Sequence, residues 1–209
     1  LGGSGRQSLT RVAAFICEHE VFTVEVSKSY TFDQWRNDIK RLLISAGAEL
    51  KYFVFLITDR HIVGDYVLED LNNLLNSGDV PNAIPQEEFL PLIDKLRIQA
   101  KQEGKEDLYN SGTNTQFYDY FIENVKAHLH IVLVQSSIGD SLRTRMRMFP
   151  SIVNSCTCIW YKKWPTEALH AVAQKFVADL GLENRTQRGM VESVKFMHES
   201  VKNLSDDYL

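Results

Sequence analysis

The chain has 209 residues, enough for one sizeable α/β core or a larger domain with a small companion. Its hydrophobic content of 44% and charged content of 24% are ordinary for a globular protein, and a net charge of −4 argues against a nucleic-acid-binding surface. Three cysteines, Cys17 alone and Cys156 and Cys158 at i,i+2, predict reduced thiols in a cytoplasmic setting; no apolar run reaches membrane-spanning length and no signal-peptide pattern is present.

The first element is a glycine-rich turn, Gly2-Gly3-Ser4-Gly5-Arg6-Gln7-Ser8, running into a helix in which Leu9, Val12, Ala13 and Ile16 share one face. Such a turn aims several backbone N–H groups at one point, where the helix dipole adds partial positive charge, and this suits a polyphosphate. The pattern G-x-x-x-x-G-K-[ST] is met only in part. Its first glycine and preceding strand would lie upstream, Arg6 stands in the lysine position, and Gln7 stands where Ser or Thr would hold magnesium. A plain glycine-rich turn is the alternative. A chain that starts inside such a loop reads as a segment of something larger.

Val21 to Val26 is β-rich and predicts a strand. Thr31 and Gln34 form a capping box ahead of an amphipathic helix carrying Phe32, Trp35, Ile39, Leu42 and Leu43. Tyr52 to Ile57 is continuously apolar, as a strand covered on both faces should be, and it ends in the polar pair Thr58-Asp59. Leu68, Leu71, Leu74 and Leu75 mark a helix stopped by Ser77-Gly78. An excursion from Asp79 to Thr115 follows, with a charged helical stretch near 87–103, then a helix through Phe117, Tyr118, Phe121, Ile122 and Val125. Leu129 to Val134 predicts a buried strand ending in Gln135-Ser136-Ser137, and Cys156 to Tyr161 a fourth strand.

Beyond Trp164-Pro165 the pattern is helical. Leu169, Val172, Ala173, Phe176, Val177 and Leu180 line one helix, and Met190, Val191, Val194, Met197, Val201 and Leu204 the last. Alternating strands and helices imply an α/β fold with a mostly parallel sheet, over residues 1–163, followed by a small helical subdomain over 164–209.

Ligands of an open α/β sheet collect beyond the carboxyl ends of its strands, so the polar strand ends are the places to meet the glycine-rich loop. Phosphoryl transfer needs a cation for the phosphates, a metal ligand and a carboxylate that orients water. The loop supplies amides and Arg6; Thr58 is placed to reach magnesium through its hydroxyl; Asp59 is the carboxylate placed for water. The competing reading makes Thr58-Asp59 the start of a turn.

These motifs also resemble a family. The loop from Gly2 to Arg11, the blocks Ser27-Lys28-Ser29-Tyr30 and Trp35-Arg36-Asn37-Asp38, and the run Leu74 to Asn82 are similar to the fourth AAA+ module of axonemal dynein heavy chains. So are Leu129 to Leu133, Ile138 to Arg143, Phe149-Pro150 and Trp164 to Leu169, which carries the resemblance nearly end to end. It implies a P-loop AAA+ three-layer αβα fold, its first strand upstream, with a helical lid truncated before the stalk. It further implies ATP or ADP with Mg2+ as ligands and Gly2, Gly3, Ser4, Gly5, Arg6, Gln7 and Ser8 as the nucleotide-binding loop. Ser136 takes the sensor position, and Thr58 and Asp59 the metal and catalytic positions. Neighbouring AAA+ modules, microtubules reached through the downstream stalk, and intermediate and light chains held elsewhere are the implied partners. The implied location is the cytoskeleton of the ciliary axoneme.

The chain departs from the generic AAA+ pattern where chemistry matters. Thr58-Asp59 replaces Asp-Glu, giving a neutral metal ligand and a carboxylate one methylene shorter, and misplacement by about 1 Å can cost on the order of a hundredfold. Slow or absent hydrolysis is therefore expected, with an active ATPase module and a purely architectural module as the alternatives. Ser155 stands where other modules carry an arginine finger, and Arg143, Arg145 and Arg147 read as solvated surface. His128 and His130 lack further ligands at metal spacing, Cys156 and Cys158 read as a buried pair of small side chains, and Met190 and Met197 read as core.

Overall fold

The computed structural model describes residues 5–136, 140–161 and 164–208, and the chain divides into two compact units, Leu1–Ile159 and Trp160–Leu209. In the first unit α1 (Arg6–Ile16) leads to β1 (Glu20–Phe22) and α2 (Phe32–Gly47) to β2 (Phe53–Thr58). A 3-10 turn (Asp59–His61) then precedes α3 (Asp65–Ser77), α4 (Gln86–Gln102), α5 (Glu106–Ser111) and α6 (Asn114–His128), which feeds β3 (Leu129–Val134). Helices α7 (Ser141–Met148) and α8 (Ser151–Asn154) complete it.

Among the described residues the three strands form one parallel sheet in the order β1-β2-β3. Phe53 lies opposite Leu129 and Thr58 opposite Val134, so β2 and β3 end level. That register puts Asp59 and Gln135, the next residue on each chain segment, at the same edge.

Local sequence explains the helices around the sheet. Thr31 accepts from the Gln34 amide while the Gln34 side chain accepts from the Thr31 N–H, at 3.4 and 3.0 Å, and Thr113 and Gln116 repeat the box at α6. Helix α3 stops at Gly78, whose φ of 75° suits glycine. All six residues of β2 are buried, because side chains alternate between two covered faces. Phe53, Phe55 and Ile57 enter the main core with Trp35, Ile39, Leu71 and Phe121. Val54 and Leu56 are buried on the opposite face, and α1 lies against all three strands.

The second unit is a pair of packed helices, α9 (Thr166–Ala178) and α10 (Asn184–Tyr208), with Ala173, Val177 and Val191 at its centre.

Four expectations need correction. The first strand stops at Phe22 rather than continuing to Val26. Residues 156–161 form no strand: Ile159 is 74% exposed and Trp160 68%, and apolar composition alone does not make a strand without a partner to pair with. Cys156 and Cys158 consequently share no strand face, and Cys158 is exposed. On α1 the buried residue is Ala14, while Leu9, Val12 and Ile16 are exposed, so the helix sits on its small-residue side, which permits close approach to the sheet. In α9 and α10 the long apolar stripes are largely exposed, Met190 and Met197 included, because two helices alone share only a narrow seam.

Candidate functional site

Four elements converge on the carboxyl edge of the sheet. The start of α1 is the first. Gly5 caps it with φ of 79°, a left-handed conformation that glycine adopts without strain, and its first turn holds no acidic residue. The Arg6 guanidinium turns inward and donates to the carbonyl oxygen of Gln135, tying α1 to the end of β3. Gln7 and Ser8 are exposed, and Gly2, Gly3 and Ser4 lie outside the described residues.

The second element is the end of β2. Thr58 is 6% exposed; its hydroxyl stands in a capping-box arrangement with the His61 N–H but makes no hydrogen bond of normal geometry among the described residues. Its backbone N–H donates to His61 Nδ1 at 3.2 Å, and that ring is buried. Burial, and then the Arg60 charge, hold the His61 pKa below its usual 6.5, so the imidazole is neutral and able to accept.

The third is the end of β3. Both polar atoms of the Gln135 side-chain amide are buried without partners, and the Ser136 amide donates to Asp59 Oδ2 at 2.7 Å. Five buried side-chain polar atoms lack partners among the described residues, and three of them belong to Thr58 and Gln135. Native structures leave few such atoms, so their concentration at one strand edge marks a place built for a polar ligand.

Helix α7 supplies the fourth. Arg145 donates to Asp59 Oδ1 at 2.7 Å, with its side chain 20% exposed. The expectation of a solvated Arg143-Arg145-Arg147 run is thus corrected for Arg145, whose ionic partner lies 86 residues away in sequence. Arg143 behaves as expected: it is exposed, and among the described residues it pairs with exposed Asp140 at 3.8 Å. A cleft of about 330 Å³ opens between α7 and the start of α3, lined by Ile62, Gly64, Asp65, Ser141, Thr144 and Arg145 among others.

The structure therefore brings together Arg6, Thr58, Asp59 and Ser136 and adds Gln135, His61 and Arg145. Sequence reasoning missed His61 because Thr-x-x-His is not a capping-box pattern, and Arg145 because no local signal links it to Asp59. His130 lies elsewhere, stacked on His19 with centroids 5.0 Å apart at the amino end of the sheet. No group of His, Cys, Asp or Glu among the described residues is arranged to hold a metal ion by itself.

The family model for the P-loop containing dynein motor region D4 matches residues 1–209. The chain belongs to the dynein motor family. It is 41% identical over 208 residues to mouse dynein axonemal heavy chain 3, and 40% identical over 210 residues to human dynein axonemal heavy chain 6; each match covers 100% of this chain and 5% of the relative. It is 41% identical over 206 residues to the dynein-1-beta heavy chain of the flagellar inner arm I1 complex from Chlamydomonas reinhardtii, covering 98% of this chain and 4% of that relative. The chain thus spans about a twentieth of the length of these dyneins. The α/β unit with its parallel sheet and helical companion is the P-loop AAA+ architecture of that motor region. No helix among the described residues is long and apolar enough to cross a membrane.

Proposed function

We propose that this dynein region binds ATP or ADP between the glycine-rich loop and the strand edge, and that it hydrolyses nucleotide slowly. The observation that carries the reading is that the buried hydroxyl of Thr58 and the buried side-chain amide of Gln135, on residues at the same carboxyl edge of the sheet, make no hydrogen bond among the described residues. Loop residues Gly2 to Ser8 and the α1 amides would take the phosphates, with Arg6 supplying charge. Thr58 would hold magnesium, which screens phosphate charge when bound. Asp59 would orient water, and Ser136 would report on the phosphates as the sensor. A threonine in place of the usual acidic metal ligand, and an aspartate in place of glutamate, both favour slow turnover.

In the heavy chain of a ciliary motor such a region would sit beside other AAA+ modules of the ring and tune the main ATPase. Its residues 164–209 would serve as a lid, microtubules would be contacted through the downstream stalk, and intermediate and light chains through other regions. Tuning requires nucleotide to bind two ring states with different affinity. Isothermal titration of the folded chain with Mg·ATP and Mg·ADP tests the central point. Saturable heat that is lost in Arg6→Ala supports nucleotide binding; no heat with either nucleotide assigns the region a purely architectural role.

A further inference from the structure

Asp59 has both carboxylate oxygens engaged within the protein, Oδ2 by the Ser136 amide and Oδ1 by Arg145, each at 2.7 Å. The two donors come from different elements, the end of β3 and α7, so together they fix the orientation of the carboxylate. The pair sits at the rim rather than in the core, with side-chain exposures of 20% for Arg145 and 41% for Asp59. Solvent screens such a pair, so it holds firmly enough to bias the carboxylate and weakly enough to open. A carboxylate that orients water must accept from it in a set direction, and a charge-assisted bond to a guanidinium fixes that oxygen toward another partner.

We propose that Arg145 is a positioning residue acting through Asp59: the ion pair holds the carboxylate against α7, and turnover at the nucleotide site, on whose reading this inference rests, requires the pair to open. In the open arrangement a water oxygen forms a bond to the γ-phosphorus while the bond from that phosphorus to the β–γ bridging oxygen breaks. The electron pair of the broken bond leaves with the nucleoside diphosphate, and the water proton passes to Asp59. In the closed arrangement that acceptor is taken. Slow turnover then has a cause inside the chain, separable from the threonine at position 58.

The test compares the wild type with Arg145→Gln, Arg145→Lys, Asp59→Asn and the double variant Arg145→Gln/Asp59→Asn, by Mg·ATP titration and single-turnover hydrolysis. Arg145→Gln should hydrolyse roughly two- to five-fold faster at unchanged affinity, the shift expected from losing one half-exposed ion pair. Arg145→Lys should stay near wild type, and the double variant should show no gain. Raising salt from about 50 mM to about 500 mM should accelerate the wild type and leave Arg145→Gln unmoved, because only the former has a pair to screen. Without nucleotide, each single substitution should lower the melting temperature and the second should add nothing. Turnover by Arg145→Gln at or below wild type, or loss of its nucleotide affinity, overturns the proposal. A wild type that binds no nucleotide overturns the underlying reading instead, and the titration identifies that case.

Discussion

Thr58→Val offers a test in which stability and binding move in opposite directions. Valine keeps the shape of the buried threonine and leaves its N–H bond to His61 intact, but removes a hydroxyl that has no partner among the described residues. A buried hydroxyl without a partner costs about 1–3 kcal/mol, and some of that penalty is recovered when an apolar group replaces it. The nucleotide-free variant should therefore be about 1 kcal/mol more stable than wild type, a rise in melting temperature of roughly 2–4 °C for a domain of this size. In Mg·ATP the order should reverse, since bound ligand stabilises by RT ln(1 + [L]/Kd) and the variant has lost the hydroxyl placed for the metal. Urea unfolding and thermal melts, each with and without Mg·ATP, read both quantities. If Thr58→Val melts below wild type without nucleotide, the hydroxyl has a partner and the reasoning is wrong.

Other substitutions probe the scaffold that holds the edge. Gly47→Ala would place a Cβ 2.4 Å from the Phe121 ring and 2.8 Å from Val125, at the contact of α2 with α6; a loss of about 1–3 kcal/mol in chemical denaturation is expected. Ala14→Leu should lift α1 off the sheet and weaken nucleotide binding by calorimetry, whereas Phe15→Ala, at a side chain 84% exposed, should change neither stability nor affinity. Acid should destabilise the fold through histidine. His61 is held below 6.5 first by burial and then by Arg60, and His130 by burial and then by His19 and His128, so the unfolded chain binds more protons as pH falls. That contribution to stability is complete above pH 6.5 and is lost as pH drops below it. Melting temperature should fall between pH 7 and 5, and His61→Asn should flatten that slope.

The sequence made the helices legible because their signals are local. Thr31 with Gln34 and the Ser77-Gly78 stop each act within one turn of chain, and the structure uses both. The run from Tyr52 to Ile57 was readable as a doubly covered strand for a similar reason, since burial on both faces removes alternation from the sequence itself, although Tyr52 is 48% exposed and the strand begins at Phe53. The failures share a physical origin. Cys156 to Tyr161 has strand composition, but pairing depends on a free edge that no single segment encodes. On α1 the periodicity of Leu9, Val12 and Ile16 identified a face without deciding whether that face or the alanine side meets the sheet. The site divided in the same way. Thr58 and Asp59 were visible as a polar step at the end of an apolar run, whereas the Arg145 partner of Asp59 exists only because β2 and α7 meet in space.

The placement of satisfied and unsatisfied groups along this edge separates holding a nucleotide from cleaving one. The atoms without partners among the described residues, the Thr58 hydroxyl and the Gln135 amide, sit on the residues closing β2 and following β3. The carboxylate needed for cleavage is the group already satisfied, from two other directions. A ligand therefore gains by completing the first set and gains nothing from the second. On the proposed reading, binding and hydrolysis would draw on different elements: α1 and β2 for one, α7 and the Ser136 amide for the other. Substitutions at Thr58 should thus move affinity together with the rate, whereas those at Arg145 should move the rate at a given affinity.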